Sequence, residues 1–268
     1  MPVPARRTAR EVLQDLGEQY GPPLQFLIVV VILWELAAWA LGIPDWLFPP
    51  PHRVAQRFLE ARRLGFHTAI TLSEALAGFG LSAVLGPLVA AGIANMPFLE
   101  RGVFPYIVLA NAVPIVAIAP LLTVWLGFGI APKIAVAMII TFFPIVTNTA
   151  RGLSSADYRI IRMMRSLNAS RFEIFRKIQV PTALPYIFAG FKISLSLSLI
   201  GAVVGEFYGG GDRGLGYLIT VTAAQFDTPL LFVAVGILAV SGVMFFQVTA
   251  LFERRLIYWA SQDVAGQR

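Results

Sequence analysis

Long apolar runs are the feature that most constrains how this chain can fold. A helix needs about 20 apolar residues to cross a bilayer, and runs of about that length fall near residues 25–42, 70–95, 103–126, 132–150, 185–207 and 229–252. Because 57% of the residues are hydrophobic and only 13% are charged, an ordinary soluble domain is excluded. The runs are continuous rather than alternating, which favours helices over barrel strands. We therefore predict an all-α membrane protein with about six transmembrane helices.

The first apolar run has some features of a signal peptide. Arg6, Arg7 and Arg10 precede it, and alanines at 37, 38 and 40 could mimic a cleavage site. The run nevertheless reaches membrane-spanning length, its basic region is long and five further runs follow, so we predict a retained helix. The chain then divides into an N-terminal segment 1–24, a transmembrane domain 25–252 that contains a polar segment at 152–184, and a C-terminal tail 253–268.

The distribution of Lys and Arg predicts the orientation. With the N-terminus inside, most of the 21 cationic residues lie on the cytoplasmic side, as the positive-inside rule requires. The exception is the first external loop, where four arginines are partly offset by Asp45 and Glu60: Arg53, Arg57, Arg62 and Arg63. We predict a multi-pass protein of the bacterial cytoplasmic (inner) membrane with both termini cytoplasmic. The net charge of +6 then reflects topology, and no nucleic-acid partner is expected.

Small residues recur at every fourth position of two apolar runs. These positions are Gly78, Ser82, Gly86, Ala90 and Ala94 in the second run, and Gly190, Ser194, Ser198 and Ala202 in the fifth. Small side chains let helix backbones approach closely, although they are also common in membrane helices in general. Because the two stripes occur together, we interpret them as packing seams.

Prolines and polar residues interrupt the third and fourth runs. Pro114 and Pro120 lie in the third run and Pro144 in the fourth, and each removes a backbone hydrogen bond. Four of the polar residues that share these runs are weaker pathway candidates, since Thr hydroxyls often bond their own helix: Thr123, Thr141, Thr147 and Asn148. We predict that Asn111 and Pro114 line a polar path through the membrane.

Glu206 is the costliest residue of the apolar portion. A carboxylate near the end of the fifth run must reach water, a cation or a buried donor. It could lie at the outer mouth of a path, or it could reach lipid headgroups. The glycine-rich stretch 209–217 that comes after it lacks the Gly-Lys-Ser/Thr ending of a phosphate loop, so we interpret it as a flexible external loop.

No catalytic or metal-binding pattern is present in the sequence. His52 and His67 are the only histidines and lie 15 residues apart without the paired helical ligands of a metal site. We predict neither an enzyme active site nor a cofactor bound by this chain.

A cation-rich segment, residues 152–184, separates the fourth and fifth runs. At 100° per residue, the apolar side chains of residues 159–167 lie opposite the three arginines in that stretch, which predicts a short amphipathic helix. We expect Ser154 or Ser155 to cap it, Asn168 to take the left-handed conformation behind it, and Ser170 with Glu173 to form a capping box. Pro181 and Pro185 should stop or redirect the chain. A protein-docking surface and a lipid-bound amphipathic helix both fit this pattern.

The spacing of the segment resembles the cytoplasmic EAA loop of permease subunits of ATP-binding-cassette (ABC) importers. In that family Glu-Ala-Ala is followed by three residues, Gly, nine residues and Ile-x-Leu-Pro. The corresponding positions here are Arg162-Met163-Met164, Asn168 and Ile178-Gln179-Val180-Pro181. The spacing of the motif is kept, although the residue types at these positions differ. Two methionines in place of the alanines make a bulkier, more adaptable contact surface.

The resemblance extends over roughly residues 45 to 252. Five stretches look like the branch that contains nitrate, sulfonate, taurine and thiamine-precursor permeases: Phe48–Pro51, Pro114–Gly129, Phe143–Thr149, Pro185–Gly190 and Gly201–Phe207. Within this branch, the sequence is most similar in character to permeases for pyrimidines or related vitamin precursors. The sequence alone does not select among these substrates.

The resemblance implies a type I importer fold and a set of partners. Two permease copies would form the path for a small polar solute, which an external solute-binding protein delivers. ATP and Mg would be bound and used by cytoplasmic ABC ATPase subunits, and the protein's other surroundings would be membrane lipid. Eight residues of the cation-rich segment would contact the ATPase: Arg162, Met163, Met164, Leu167, Asn168, Ala169, Ser170 and Arg171. Asn111, Pro114 and Glu206 would belong to the path. The alternative is a secondary transporter driven by an ion gradient, which would favour inverted repeats and matching intramembrane charges.

Overall fold

The computed structural model describes residues 9–257, with the backbone alone given at 9–20, 97, 100, 104 and 108. Arg6, Arg7 and the predicted tail beyond residue 257 lie outside the described residues. The helices are α1 (Ala9–Ala40), α2 (Pro51–Glu60), α3 (Leu64–Asn95), α4 (Pro97–Gly102), α5 (Phe104–Asn111), α6 (Ile115–Leu126), α7 (Ile130–Ser154), α8 (Tyr158–Ser166), α9 (Arg171–Ile174), a π-helical turn (Phe175–Gln179), α10 (Val180–Tyr208), α11 (Leu215–Ala224) and α12 (Thr228–Leu256).

The membrane spans agree with the apolar runs. Between residues 9 and 257, five helices are long and apolar enough to cross a bilayer: Gly21–Ala40, Leu64–Asn95, Ile130–Ser154, Arg171–Tyr208 and Thr228–Leu256. The third run is interrupted, as the prolines in it predicted. It forms the pair Pro105–Asn111 and Ile115–Leu126, bent by 96°. Counting that pair as one broken span gives six, as the sequence predicted.

Pro114 explains where the third run breaks. It precedes α6 with an extended ψ of 119°, and a residue before proline is itself disfavoured in the helical region. The other two prolines do not break their helices. Pro120 lies inside α6 and Pro144 inside α7, because a helix held by its neighbours can bend around a missing hydrogen bond.

The chain forms two compact units. One comprises the residues up to Arg62 together with Thr222–Val233, and the other comprises Arg63–Val221 together with the residues from Ala234 onward. In the second and larger unit, α7 packs against both α3 and α10, which also touch each other. This three-helix core is where the two small-residue seams lie.

The seams allow very close backbone contact. A methyl group on Gly78 of α3 would lie 2.5 Å from the Ala137 side chain, and one on Gly190 of α10 would lie 3.2 Å from the Pro144 carbonyl oxygen of α7. Two serines add hydrogen bonds to the backbone of α7: Ser82 Oγ donates to the Met138 carbonyl at 2.7 Å and Ser194 Oγ to the Thr141 carbonyl at 3.0 Å. The predicted seams are therefore confirmed, and both face α7.

The threonines of these helices bond their own backbone. Thr123, Thr141 and Thr147 each donate to the carbonyl four residues earlier, at 2.8 to 3.1 Å. Asn148 likewise donates to the Pro144 carbonyl at 2.8 Å. Because these donors are satisfied within one helix, they are poor candidates for a polar path, as predicted for each threonine.

In the smaller unit, ion pairs offset two of the four arginines of the predicted first external loop. Arg57 Nη2 pairs with Asp227 at 2.6 Å, and Arg53 pairs with Asp45 at 3.3 Å. The hydrogen bonds to Asp227 hold the pKa of the Arg57 guanidinium above its ordinary value. This arginine therefore stays charged, and the acids beside these arginines reduce the net positive charge of the loop.

Candidate functional site

The cation-rich segment begins with an exposed amphipathic helix, α8. Its N-cap is Asp157, whose Oδ1 accepts from the Arg159 N–H at 2.7 Å. The prediction that Ser154 or Ser155 caps this helix was wrong. The preceding helix α7 continues through Ser154, and the Ser155 hydroxyl donates back to Gly152 at 2.8 Å.

A tight turn connects α8 to α9. Asn168 has φ 59°, the left-handed conformation predicted for it. The turn is closed by hydrogen bonds from the Asn168 N–H to the Arg165 carbonyl and from the Ala169 N–H to the Met164 carbonyl, both 3.0 Å. Ser170 then caps α9, and with Glu173 it forms the predicted capping box. Local hydrogen bonds therefore set the shape of the turn.

The helix that starts at Arg171 does not stop at the prolines. It runs through α9, the π-helical turn and α10 as far as Tyr208. The wide turn at Phe175–Gln179 lies just before Pro181, so it gives room to carbonyls that a proline ring would otherwise meet. The predicted break at Pro181 and Pro185 is therefore corrected to a continuous element that links the exposed turn to the membrane core.

The side chains predicted to contact an ATPase form one exposed surface. Met163 and Leu167 are 55% and 70% exposed, although both are apolar. Of the eight predicted residues, only Met164 and Ala169 are half-buried. Arg162 bonds the Tyr158 hydroxyl at 3.1 Å and stacks on its ring. Among the described residues, no acidic side chain pairs with the arginines of this surface.

Asn111 and Pro114 line the same cavity. It has a volume of about 410 Å³ and lies between the α5–α6 bend and α7. Its α7 wall consists of residues 138–140 together with Phe142 and Phe143. The geometry thus brings together two of the three predicted pathway residues, at the point where the third span is broken.

Glu206 lies apart from that cavity and is buried. Its Oε1 accepts from the Thr71 hydroxyl of α3 at 2.6 Å, and its Oε2 accepts from the backbone N–H groups of Gly216 and Tyr217. With 5% of its surface exposed, it does not reach lipid headgroups. Of the three environments that the sequence allowed, the structure shows buried donors.

A buried ion pair near Glu206 was missed by the sequence analysis. Lys133 Nζ of α7 lies 3.2 Å from Glu74 Oε1 of α3, and both side chains are almost fully buried. The backbone of Lys133 also lies close to Gly205. The signal was present in the sequence as two opposite charges near the ends of apolar runs, but only the packing of α3 on α7 pairs them.

The glycine-rich loop, which we predicted to be flexible, is held by contacts with Thr71, His67 and Glu206. The Leu215 N–H donates to the Thr71 hydroxyl at 2.7 Å, and His67 Nδ1 lies 3.1 Å from the Gly214 carbonyl. Gly214 has φ +107°, and a methyl group there would overlap the Glu206 carboxyl. The loop therefore has its conformation set by α3 and α10.

Lys192, the cation within the fifth run, is also paired. Its Nζ contacts Glu253 of α12 and lies 5.9 Å from the Phe246 ring.

In the part of the chain that the structure describes, no group of three His, Asp or Glu side chains could hold a metal ion.

Comparison with known proteins identifies relatives over most of the chain. Residues 82–258 match the family described as "Binding-protein-dependent transport system inner membrane component". The chain is 37% identical to the "Riboflavin transport system permease protein RibX" of Chloroflexus aurantiacus over 87% of this chain and 88% of that protein. It is 33% identical to the "Formylaminopyrimidine transport permease protein ThiX" of Halalkalibacterium halodurans, over 90% of this chain and 96% of that protein.

A solved structure supports the fold. An inward-facing structure of the MetNI methionine ABC transporter matches with a TM-score of 0.61, covering 69% of this chain and 92% of that chain. Because the sequence identity is 18%, this match shows a similar fold and nothing more.

Proposed function

The chain belongs to the family of binding-protein-dependent inner-membrane transport components, and we propose that its cation-rich segment is the docking site of a cytoplasmic ATPase. It is a multi-pass inner-membrane protein and the permease subunit of an ABC importer for small solutes. The ATPase activity lies in partner subunits. Coupling of ATP hydrolysis to transport therefore requires a surface of this chain to which the ATPase subunit binds.

The exposed surface formed by α8 and the turn at Asn168 carries the proposal. It combines arginines with exposed Met163 and Leu167. Interfaces are enriched in Arg and Met, and methionine adapts to irregular partner surfaces. A lipid-bound helix would also present apolar and cationic residues. A single flat helix would suit that role, whereas the left-handed Asn168 and the capping box end α8 and start α9, so that the surface includes a tight turn.

The continuous helix Arg171–Tyr208, which follows the exposed surface, is the element that we propose transmits movement. Because α9, the π-helical turn and α10 form one element, movement of an ATPase against Arg171 would be transmitted toward Tyr208. ATP and Mg would act in the partner subunits, and their closure would shift this permease between inward-facing and outward-facing states.

The path is proposed to lie at the broken third span, with Asn111 and Pro114 on its wall. Glu206 would hold the outer end, where it fixes the loop after α10 through Gly216 and Tyr217. We infer a second permease copy, identical or paralogous, to complete the path, and both termini on the cytoplasmic side, as the distribution of Lys and Arg predicts.

The proposed solute is a small polar nitrogen heterocycle, such as a vitamin or a vitamin precursor. The two relatives described above are named for riboflavin and formylaminopyrimidine, which are both compounds of this class. An external binding protein would deliver the solute, and sulfonates, taurine and nitrate are the alternative substrates.

Copurification tests the docking assignment. The chain is solubilised from its native membrane, and ATPase activity is measured in the purified material. We expect an ABC ATPase to accompany the natural chain, and a variant with Arg162→Glu, Arg165→Glu and Arg171→Glu to lose it while keeping its elution profile. Arg213→Glu on the external loop is the matched control and should retain the ATPase. An ATPase that stays with the triple variant would refute the docking site, whereas uptake driven by an ion gradient would favour a secondary transporter.

A further inference from the structure

We propose that the cavity beside Asn111 is a transient binding site for the solute, and that it selects a neutral, planar nitrogen heterocycle. This inference rests on the proposed path through the broken third span. It goes further by assigning selectivity to the permease itself, in addition to the external binding protein.

The Asn111 side chain has unused hydrogen-bonding capacity. It lines the cavity at the end of α5, in a span that crosses apolar surroundings. Among the residues that the structure describes, none forms a hydrogen bond with this carboxamide, in contrast to Asn148, which is bonded within its helix. Asn111 is exposed, so a solute in the cavity can reach its carboxamide group. A solute that binds there would supply the missing hydrogen bonds.

The carboxamide group itself suggests the chemistry of that solute. Asn offers an N–H donor and a carbonyl acceptor side by side. That pair matches a ring edge on which a donor and an acceptor are adjacent, as in the bidentate contact of Asn with adenine. Uracil-like and flavin-like rings carry such an edge.

The rest of the wall suits a flat ring. Phe142, Phe143 and Met138 line the cavity on the α7 side. Aromatic rings stack on planar ligands, and the methionine thioether makes favourable contacts with aromatic rings. The volume of about 410 Å³ lies within the range of small-molecule sites, so a small planar heterocycle fits.

The charge of the wall opposes an anionic solute. The lining residues include no Lys, Arg, His, Asp or Glu. A sulfonate or nitrate would therefore leave water for a mainly apolar site without a compensating charge, which is unfavourable. The same wall accepts a neutral ring at little cost, so the cavity discriminates between neutral heterocycles and small anions.

The natural chain contains no cysteine, which permits a direct test. Ile139→Cys places one thiol on the cavity wall, and the rate of its reaction with methyl methanethiosulfonate is measured in the importer assembled with its ATPase and reconstituted into liposomes. Arg213→Cys on the external loop is the control for reagent reactivity. The probes are uracil, 1,3-dimethyluracil, which has the same ring without its N–H donors, and ethanesulfonate.

We expect uracil at about ten times its Kd to slow the reaction of the cavity thiol in the Ile139→Cys variant by about tenfold, since roughly one site in ten is then free. Dimethyluracil should protect less, ethanesulfonate should not protect, and the loop thiol of the Arg213→Cys variant should be unaffected by all three. Adding Asn111→Leu should abolish protection by uracil, whereas Asn111→Gln should keep part of it. Protection by ethanesulfonate, or equal protection with and without Asn111, would overturn the inference.

Trapping the ATPase with vanadate separates this inference from the proposed function. If the reaction rate of the cavity thiol changes on trapping but uracil gives no protection, the cavity belongs to a coupled path and only the selectivity proposal fails. If trapping leaves the rate unchanged, the proposed path itself fails.

Discussion

Asn168 shows how one residue shapes the proposed docking surface. Its φ of 59° reverses the chain between α8 and α9, and Asn is the residue other than Gly that best tolerates this conformation. The N–H of Asn168 also bonds the Arg165 carbonyl. Both the conformation and the donor are therefore needed at this position.

Replacing Asn168 with proline should uncouple the importer. The proline ring fixes φ near −65° and removes the N–H, so the turn cannot form. We expect a folded membrane protein that no longer binds or drives its ATPase, whereas Asn168→Gly should behave like the natural chain because glycine accepts positive φ. Solute uptake and ATPase copurification measure both variants. Normal uptake by the proline variant would contradict the assigned role.

Gly214 is a second residue whose backbone conformation matters for the stability of the protein. Its φ of +107° and its contact with the Glu206 carboxyl leave no room for a side chain. We expect Gly214→Ala to lower stability in detergent by about 2 kcal/mol or more, the scale of overpacking with added backbone strain. Gly65→Ala, where nothing lies within 4 Å, is the control and should change stability little. Equal melting of the two variants would argue against the fixed loop.

At the scale of elements, α7 is the helix on which the larger unit is built. Both small-residue seams pack on it, from α3 and from α10. Lipid does not drive helices together as water does, so close packing and interhelical hydrogen bonds provide the stability. The consequences of losing a seam can be tested within a single helix.

Gly78 and Gly80 of α3 form a matched pair for that test. A methyl group at Gly78 would lie 2.5 Å from the Ala137 side chain, while one at Gly80 would meet nothing within 4 Å. We expect Gly78→Ala to cost about 1–3 kcal/mol through forced separation of α3 and α7, and Gly80→Ala to be neutral or slightly stabilising. Thermal unfolding in detergent, followed by size-exclusion chromatography, distinguishes them. Similar losses at both positions would contradict the seam.

The buried pair of Lys133 and Glu74 links the same two helices. Removing one partner leaves an unpaired charge, which typically costs about 3–5 kcal/mol, while replacing both with apolar residues is far better tolerated. We therefore expect Lys133→Met to melt well below the natural chain, and the double variant Lys133→Met with Glu74→Leu to recover much of the loss. A double variant less stable than the single one would show that the pair is not the main role of Lys133.

At the scale of the whole molecule, the proposed function depends on carrying movement from the proposed docking surface to the membrane core. The continuous helix between Arg171 and Tyr208 is the connection that the structure offers. Within its π-helical turn, Arg176 and Lys177 are exposed, so these two side chains can be changed without disturbing the packing of α7.

Softening that turn should lower transport without releasing the ATPase. Arg176→Gly with Lys177→Gly weakens the helix by about 1 kcal/mol per glycine, and Arg176→Ala with Lys177→Ala removes the same side chains while keeping helix propensity. We expect the glycine pair to reduce solute imported per ATP hydrolysed and the alanine pair to preserve it, with the ATPase bound in both. Equal ratios would contradict the proposed transmission of movement through this turn.

The sequence by itself determined the membrane setting, the number of spans, the packing seams and the turn around Asn168. These follow from local signals, namely run length, the spacing of small residues and capping chemistry, which act over short stretches of chain. Only the tertiary structure decided which prolines break helices, since α7 continues through Pro144 between its neighbours while α5 and α6 bend apart at Pro114. It also decided that Glu206 bonds Thr71 and that Lys133 pairs with Glu74, because residues far apart in the chain meet only when α3, α7 and α10 pack together.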